Sequence, residues 1–163
     1  MNNNEHLPVY GPGPVIGGVM VIITIAACFM RNLPGLETGR LEGSIGVLFI
    51  TAGIFLIAAG IALWIYAVLV SKIDDGILNN HLVTNGAYAI VRNPIYSAIM
   101  IACTGVLLIA CNLWFLIIPL FFWAFMTVVL KNTEEKWLKD LYGNEYTEYC
   151  RMVNRCWPWI PKK

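Results

Sequence analysis

From Ser44 to Val70 the chain runs for 27 residues without one charged side chain. Roughly 20 apolar residues in a helix cross the ~30 Å hydrocarbon core of a bilayer. Inside lipid, only a helix or a closed barrel satisfies every backbone N–H and C=O. A run of this length therefore demands a membrane helix, with residues to spare for tilt. Three further apolar runs accompany it: Val15 to Met30, Ile95 to Ala110 and Leu113 to Leu130. The first and third are short for a full span, and the first can be extended by Tyr10 to Gly13 or Arg31 to Leu33. The expected fold is an all-α integral membrane protein with about four transmembrane helices, in one domain over residues 1–163. Composition agrees: 58% of residues are hydrophobic and 13% charged, against about 25% charged in soluble domains.

Cys111-Asn112 is too short a connection for anything but antiparallel neighbours, so residues 95–130 read as a helix hairpin. Pro119, inside its second arm, is expected to kink that arm or loosen its backbone hydrogen bonds. Gly46, Gly53 and Gly60 recur every seven residues and form a stripe on which a neighbouring helix can approach closely. A dimer is one use of such a stripe, and the oligomeric state stays open. Residues 1–14, with Tyr10-Gly-Pro-Gly-Pro14, read as a loop, and the cationic start of a signal peptide is missing ahead of the first run. The tail, 131–163, holds the strongest run of charge. A helix capped by Asn132 or Thr133 is expected to about Tyr142, where Gly143 can end it. A second short helix follows from Asn144 to about Asn154. Trp157-Pro-Trp-Ile-Pro-Lys-Lys163 suits an interfacial anchor. With four spans, Lys72, Arg92 and seven tail cations share one side, while Arg31 and Arg40 lie on the other. The positive-inside rule puts the first side in the cytoplasm.

Several functions are disfavoured at once. A net charge of +1 offers no general surface for nucleic acid. Five cysteines without a CxxC, and only His6 and His81 as imidazoles, leave no metal or disulfide framework. Asp74-Asp75 reads as a solvated loop pair. No phosphate-binding loop, nucleophile elbow or dinucleotide fingerprint occurs. The membrane runs carry no charge, which disfavours a translocation path.

The polar chemistry collects in His81 to Tyr96 (HLVTNGAYAIVRNPIY) and in Lys131-Asn132-Thr133-Glu134-Glu135. Proline suits the first position of a helix, and Asn caps well just before it. Asn93-Pro94 therefore starts the third membrane helix. Its free N–H groups and positive dipole end suit an anion or a ligand carboxylate. Arg92 adds a permanently charged fork, although it can equally snorkel to the interface. Asn85-Gly86 marks a turn, and His81 to Thr84 looks extended. His81 is a candidate base, but a lone loop histidine is more often simply solvated. Glu134 and Glu135 open the tail helix, where acids are favoured on dipole grounds, and Asn132 with Glu135 resembles a capping box. The hairpin offers another role, since it returns Glu134 and Glu135 to Arg92. Carboxylates there can accept bonds from ribose hydroxyls or an ammonium, and Tyr88 and Tyr96 can stack a base or face a cation.

His81-Leu-Val-Thr-Asn-Gly-Ala-Tyr88, Arg92-Asn-Pro-Ile-Tyr96, Glu134-Glu135 and Leu141-Tyr-Gly-Asn-Glu-Tyr-Thr-Glu-Tyr149, taken together, resemble the isoprenylcysteine carboxyl methyltransferase family, which is related to the phospholipid N-methyltransferases. The resemblance covers about residues 71–160. It implies a membrane methyltransferase that uses S-adenosylmethionine (SAM), with a cofactor site facing the cytoplasm and a lipophilic small-molecule substrate entering between helices from the surrounding membrane lipids. Carried over, Asn80, His81, Leu82, Val83, Tyr88, Asn93, Pro94, Ile95, Tyr96 and Glu134 would hold the cofactor. Arg92 and Glu135 are carried over as catalytic supports. The sequence departs from the family twice. Asn93 replaces the usual histidine and cannot carry a proton. Leu130 stands where animal members place a substrate-binding arginine, which leaves Lys131 as the nearest candidate for the substrate.

The resemblance thus implies carboxyl O-methylation of an isoprenylcysteine-like or other lipophilic molecule. Lipid amine N-methylation, thiol S-methylation and an NADPH-dependent membrane reductase are the alternatives.

Overall fold

A computed structural model describes residues 12–70 and 81–160. Asn80, Lys72, Asp74-Asp75, the residues before Pro12 and those after Ile160 lie outside the described residues. Among the described residues, five α-helices follow in order: α1 (Gly13–Met30), α2 (Gly43–Ile65), α3 (Pro94–Ile109), α4 (Ile117–Asn132) and α5 (Glu134–Met152). Helix α2 runs on into a π-helical turn at Tyr66–Val70. Among the described residues, three segments reach spanning length: Gly13–Met30, Gly43–Leu69 and Leu113–Asn132; Pro94–Ile109 is a shorter apolar helix. Much apolar surface faces outward, including Phe29, Leu48, Phe55 and Ile117. Lipid is as apolar as these side chains, so burial is confined to helix contacts. The protein is an all-α integral membrane protein.

The glycine stripe is used within the chain. A Cβ on Gly53 would lie 2.5 Å from the Gly105 carbonyl oxygen, and one on Gly60 would lie 2.8 Å from that of Ala98. The backbones of α2 and α3 therefore touch directly, and this face of α2 is closed to a second copy of the chain. The stripe serves an intramolecular helix pair. On the other faces of α3, Met100, Cys103 and Leu107 pack with Ile16 and Met20 of α1 and with Phe122, Met126 and Leu130 of α4.

The antiparallel hairpin of α3 and α4 forms as the sequence predicts. Its tight turn is held from the side. Asn112 accepts the Trp114 N–H at 3.0 Å and donates through Nδ2 to the Leu36 carbonyl at 2.9 Å. The Leu41 N–H donates to the Cys111 carbonyl at 2.8 Å. Pro119 does not kink the middle of its helix. A 3-10 turn at Leu113–Leu116 precedes α4, which places Pro119 in the first α-helical turn, where a missing N–H costs little. At the start of the chain, helix begins at Gly13, with Pro14 in the first turn, earlier than a loop through residue 14 would allow. In the tail, Gly143 breaks α5 with φ +55°, at the position the sequence marks for a helix end.

Candidate active site

Asn85-Gly86 turns the chain, with Gly86 at φ +58°, into a 3-10 turn at Gly86–Ala89. Tyr88 is buried there, and its carbonyl accepts the Tyr149 hydroxyl at 2.6 Å. Leu82 is buried against Tyr146, Tyr149 and Val153. Leu82 and the Tyr149–Tyr88 hydrogen bond thus pin the loop to the tail. Leu82 to Thr84 form no regular strand, and His81 is exposed, in keeping with a solvated histidine.

The chain then pairs briefly with the tail's end. The Arg92 N–H donates to the Asn154 carbonyl at 2.8 Å, and the Trp159 N–H to that of Ile90 at 3.2 Å. Pro94 occupies the first position of α3, and Asn93 stands at its N-cap without making a side-chain cap bond. The Asn93 amide instead donates to the Arg155 carbonyl at 3.1 Å. The expected cap is therefore replaced by a tie to the tail.

The hairpin brings the two polar clusters together. The Tyr96 hydroxyl donates to Glu134 Oε1 at 2.6 Å. Arg92 Nη1 lies 3.0 Å from Glu135 Oε1, with both side chains about nine-tenths buried. Arg155 grips the same carboxylate with two bonds, Nε to Oε1 at 2.6 Å and Nη2 to Oε2 at 2.8 Å. This planar fork is the strong form of a charge pair. Arg92 also donates to the Cys150 sulfur. Arg92 therefore does not snorkel, and Glu135 does not close a capping box. Thr133 and Asn132 turn back to the Val129 and Val128 carbonyls instead.

Electrostatics follow from this burial. Glu134 is held above the ordinary carboxylate range, foremost because it is buried; the Tyr96 hydroxyl opposes the shift and neighbouring Glu135 adds to it. Arg155 is raised further above its usual value, first of all by its bond to Glu135. Burial pushes the phenols of Tyr146 and Tyr149 up, so both stay protonated donors at neutral pH.

Of the residues singled out in the sequence, Arg92, Asn93, Pro94, Tyr96, Glu134 and Glu135 gather at one end of the bundle. Tyr88 is buried in the loop that leads into α3. Ile95 follows Pro94 in the first turn of α3, and Val83 lies beside the anchored Leu82. Lys131 is exposed at the end of α4, outside the buried cluster. Arg155 is the site residue that sequence reasoning missed. Its one local signal is a cation set between the end of the tail helix and the Trp-rich anchor. Among the described residues no group of three or more His, Cys, Asp or Glu could hold a metal ion.

Residues 44–145, well over half of the chain, match the family model described as "Phospholipid methyltransferase". The chain is 33% identical over 88 residues, 50% of its length, to protein-S-isoprenylcysteine O-methyltransferase B of Arabidopsis thaliana, covering 42% of that protein. It is 34% identical over 80 residues to a probable protein-S-isoprenylcysteine O-methyltransferase of Oryza sativa subsp. japonica, covering 41% of it. The match thus spans less than half the length of these curated relatives. No solved structure matches the chain. With the family match running from α2 through the hairpin into α5, the chain belongs to the phospholipid methyltransferase family.

Proposed function

We propose that this chain is a SAM-dependent methyltransferase that works at the cytoplasmic surface of the membrane and methylates the carboxylate of an isoprenylcysteine-like or other lipophilic small molecule. The observation that carries the proposal is the closure of the hairpin, Tyr96 on Glu134 and Arg92 on Glu135. It joins the two polar stretches across a greasy bundle, where buried polar groups are expensive unless they serve a purpose.

The residues present fit the cofactor by their chemistry. Glu134 is a carboxylate acceptor for a hydroxyl or an ammonium, and Tyr88 and Tyr96 offer ring faces to a base or a cation. The start of α3 at Asn93-Pro94 exposes backbone N–H groups. His81, Leu82 and Val83 supply backbone outside regular secondary structure. When bound, SAM supplies a methyl group on a sulfonium, electrophilic enough for a carboxylate to accept without a strong base. The protein's part is then orientation and exclusion of water. The Arg92–Glu135–Arg155 cluster would fix the cradle's floor as catalytic support. Asn93, tied to the Arg155 carbonyl, would position the turn and move no proton. The cytoplasmic placement rests on the distribution of cations.

The test uses purified chain, methyl-labelled SAM and a membrane lipid extract. Label in the lipid fraction that mild base releases identifies a carboxyl methyl ester and supports the proposal. Base-stable label would select amine or thiol methylation; the amine form has the family's description in its favour. No transfer to any fraction would overturn the methyltransferase assignment.

A further inference from the structure

The first turn of α1 lies against the site. A Cβ built on Gly13 would stand 2.6 Å from the Tyr96 hydroxyl oxygen, and 3.1 and 3.3 Å from Cε1 and Cζ of its ring. The Gly13 backbone thus meets the phenol at the hydroxyl that donates to Glu134 Oε1 at 2.6 Å. Glycine permits an approach this close, and a side chain blocks it. One turn further on, Gly17 seats Ile99, whose Cδ1 would be 3.1 Å from an added Cβ. Ile16 and Met20, both fully buried, complete the seam of α1 on α3.

The two glycines differ in what a methyl group would disturb. At Gly17 it meets the end of an aliphatic chain that can turn aside. At Gly13 it meets a hydroxyl already engaged, which must withdraw by several tenths of an ångström. An O–H···O bond of 2.6 Å has no room to shorten, so the shift lengthens or bends it. Glu134 then loses the donor that faces it from α3. Glu135 adjoins it on its own helix, and that carboxylate is taken up by Arg92 and Arg155. The first two turns of α1 carry no titratable side chain.

We propose that Gly13 is a positioning residue of the cofactor cradle: the bare first turn of α1 leaves the Tyr96 hydroxyl its place on Glu134, and so orients that carboxylate for a hydroxyl or ammonium of the cofactor. The inference rests on the methyltransferase reading. It extends the site to the first membrane helix, which precedes the matched residues 44–145.

The test compares Gly13→Ala, Gly17→Ala, Tyr96→Phe and the double variant Gly13→Ala/Tyr96→Phe in the purified full chain. Losing a charge-assisted bond predicts SAM affinity about tenfold lower in Tyr96→Phe and several-fold lower in Gly13→Ala. The double variant should bind no more weakly than Tyr96→Phe, because residues that act through one contact are not additive. Gly17→Ala alters the same seam and should keep wild-type affinity. A second readout needs no cofactor: the carboxyl infrared band that disappears in Glu134→Gln, followed against pH. The Tyr96 bond holds the Glu134 pKa down against burial. Its midpoint should therefore rise in Gly13→Ala and Tyr96→Phe alike, and stay in place in Gly17→Ala. Additive losses, wild-type behaviour in Gly13→Ala, or the same changes in Gly17→Ala overturn the proposal. If Gly13→Ala does not fold, recovery by Tyr96→Phe demonstrates the same contact, and a double variant that also fails to fold overturns it. Should the wild type bind no SAM while the midpoint moves as expected, the cofactor reading falls and the Gly13–Tyr96–Glu134 linkage stands.

Discussion

Replacing Glu135 by Gln removes one charge and disturbs three close contacts at once: Arg92 at 3.0 Å, and Arg155 at 2.6 and 2.8 Å. Arg92 is buried, so it cannot regain water when its partner is lost. Breaking a buried pair costs about 3–5 kcal/mol. The Arg155 side chain is 24% exposed and recovers part of its hydration, which favours the lower end, about 3 kcal/mol. At ~2–4 °C per kcal/mol for a chain of this size, the melting temperature should fall by about 6–12 °C. The assay is thermal unfolding of detergent-solubilised protein followed by size-exclusion fluorescence. An internal comparison is built into the molecule. Arg40 and Glu42 pair at 3.4 Å with both side chains largely exposed, and such pairs contribute about 0–1 kcal/mol. Glu42→Gln should therefore shift the midpoint by no more than ~4 °C. If Glu135→Gln melts no lower than Glu42→Gln, the buried cluster does not hold α5 to α3 and the reasoning fails.

Two further outcomes follow from the same structure. Gly53→Val places a branched side chain where a Cβ alone already meets the Gly105 carbonyl at 2.5 Å; overpacking of this kind costs about 1–3 kcal/mol, and a midpoint equal to wild type would refute the α2–α3 backbone contact. Glu134 carries a pKa raised foremost by burial. Its ionised form therefore costs folding free energy, so its favourable contribution is present below the unfolded pKa and is lost as pH rises through the folded one. Binding of a cationic ligand in the proposed cradle requires the opposite form. SAM affinity should then weaken on acidification at a pH above the ordinary glutamate range, and Glu134→Gln should abolish this acid limb; titrations at stepped pH that give both proteins the same limb would contradict the assignment.

Elements governed by local chemistry were legible in the sequence. An uncharged run of 27 residues can only be a membrane helix, a two-residue link forces antiparallel arms, Pro94 opens a helix, and Gly143 breaks one because it adopts φ +55°. Contacts set by topology were harder to read. Glu135 carried a good local explanation as a helix-opening acid, and only the folded hairpin shows that it faces two arginines. Arg155 sits 20 residues from Glu135, past the end of α5, so no periodicity connects them. Asn93 had the right identity for a cap, yet the tail offers its amide the Arg155 carbonyl. The glycine stripe correctly signalled close helix contact, but spacing alone does not say whether the partner helix belongs to the same chain. Lys131 lies three residues before Glu134 in sequence, but the structure leaves it exposed while Glu135 is buried.

Calorimetric titration of SAM into the purified full chain and its Glu134→Ala variant bears most directly on the proposed cradle. Saturable one-to-one binding by the wild type is expected, with affinity about tenfold or more lower in the variant through loss of charge-assisted bonds. The Arg155–Glu135 pair should keep the variant folded, as its melting temperature would show. Absence of saturable binding by the wild type, or equal affinity in a folded Glu134→Ala, would contradict the assignment of this end of the bundle as a cofactor site.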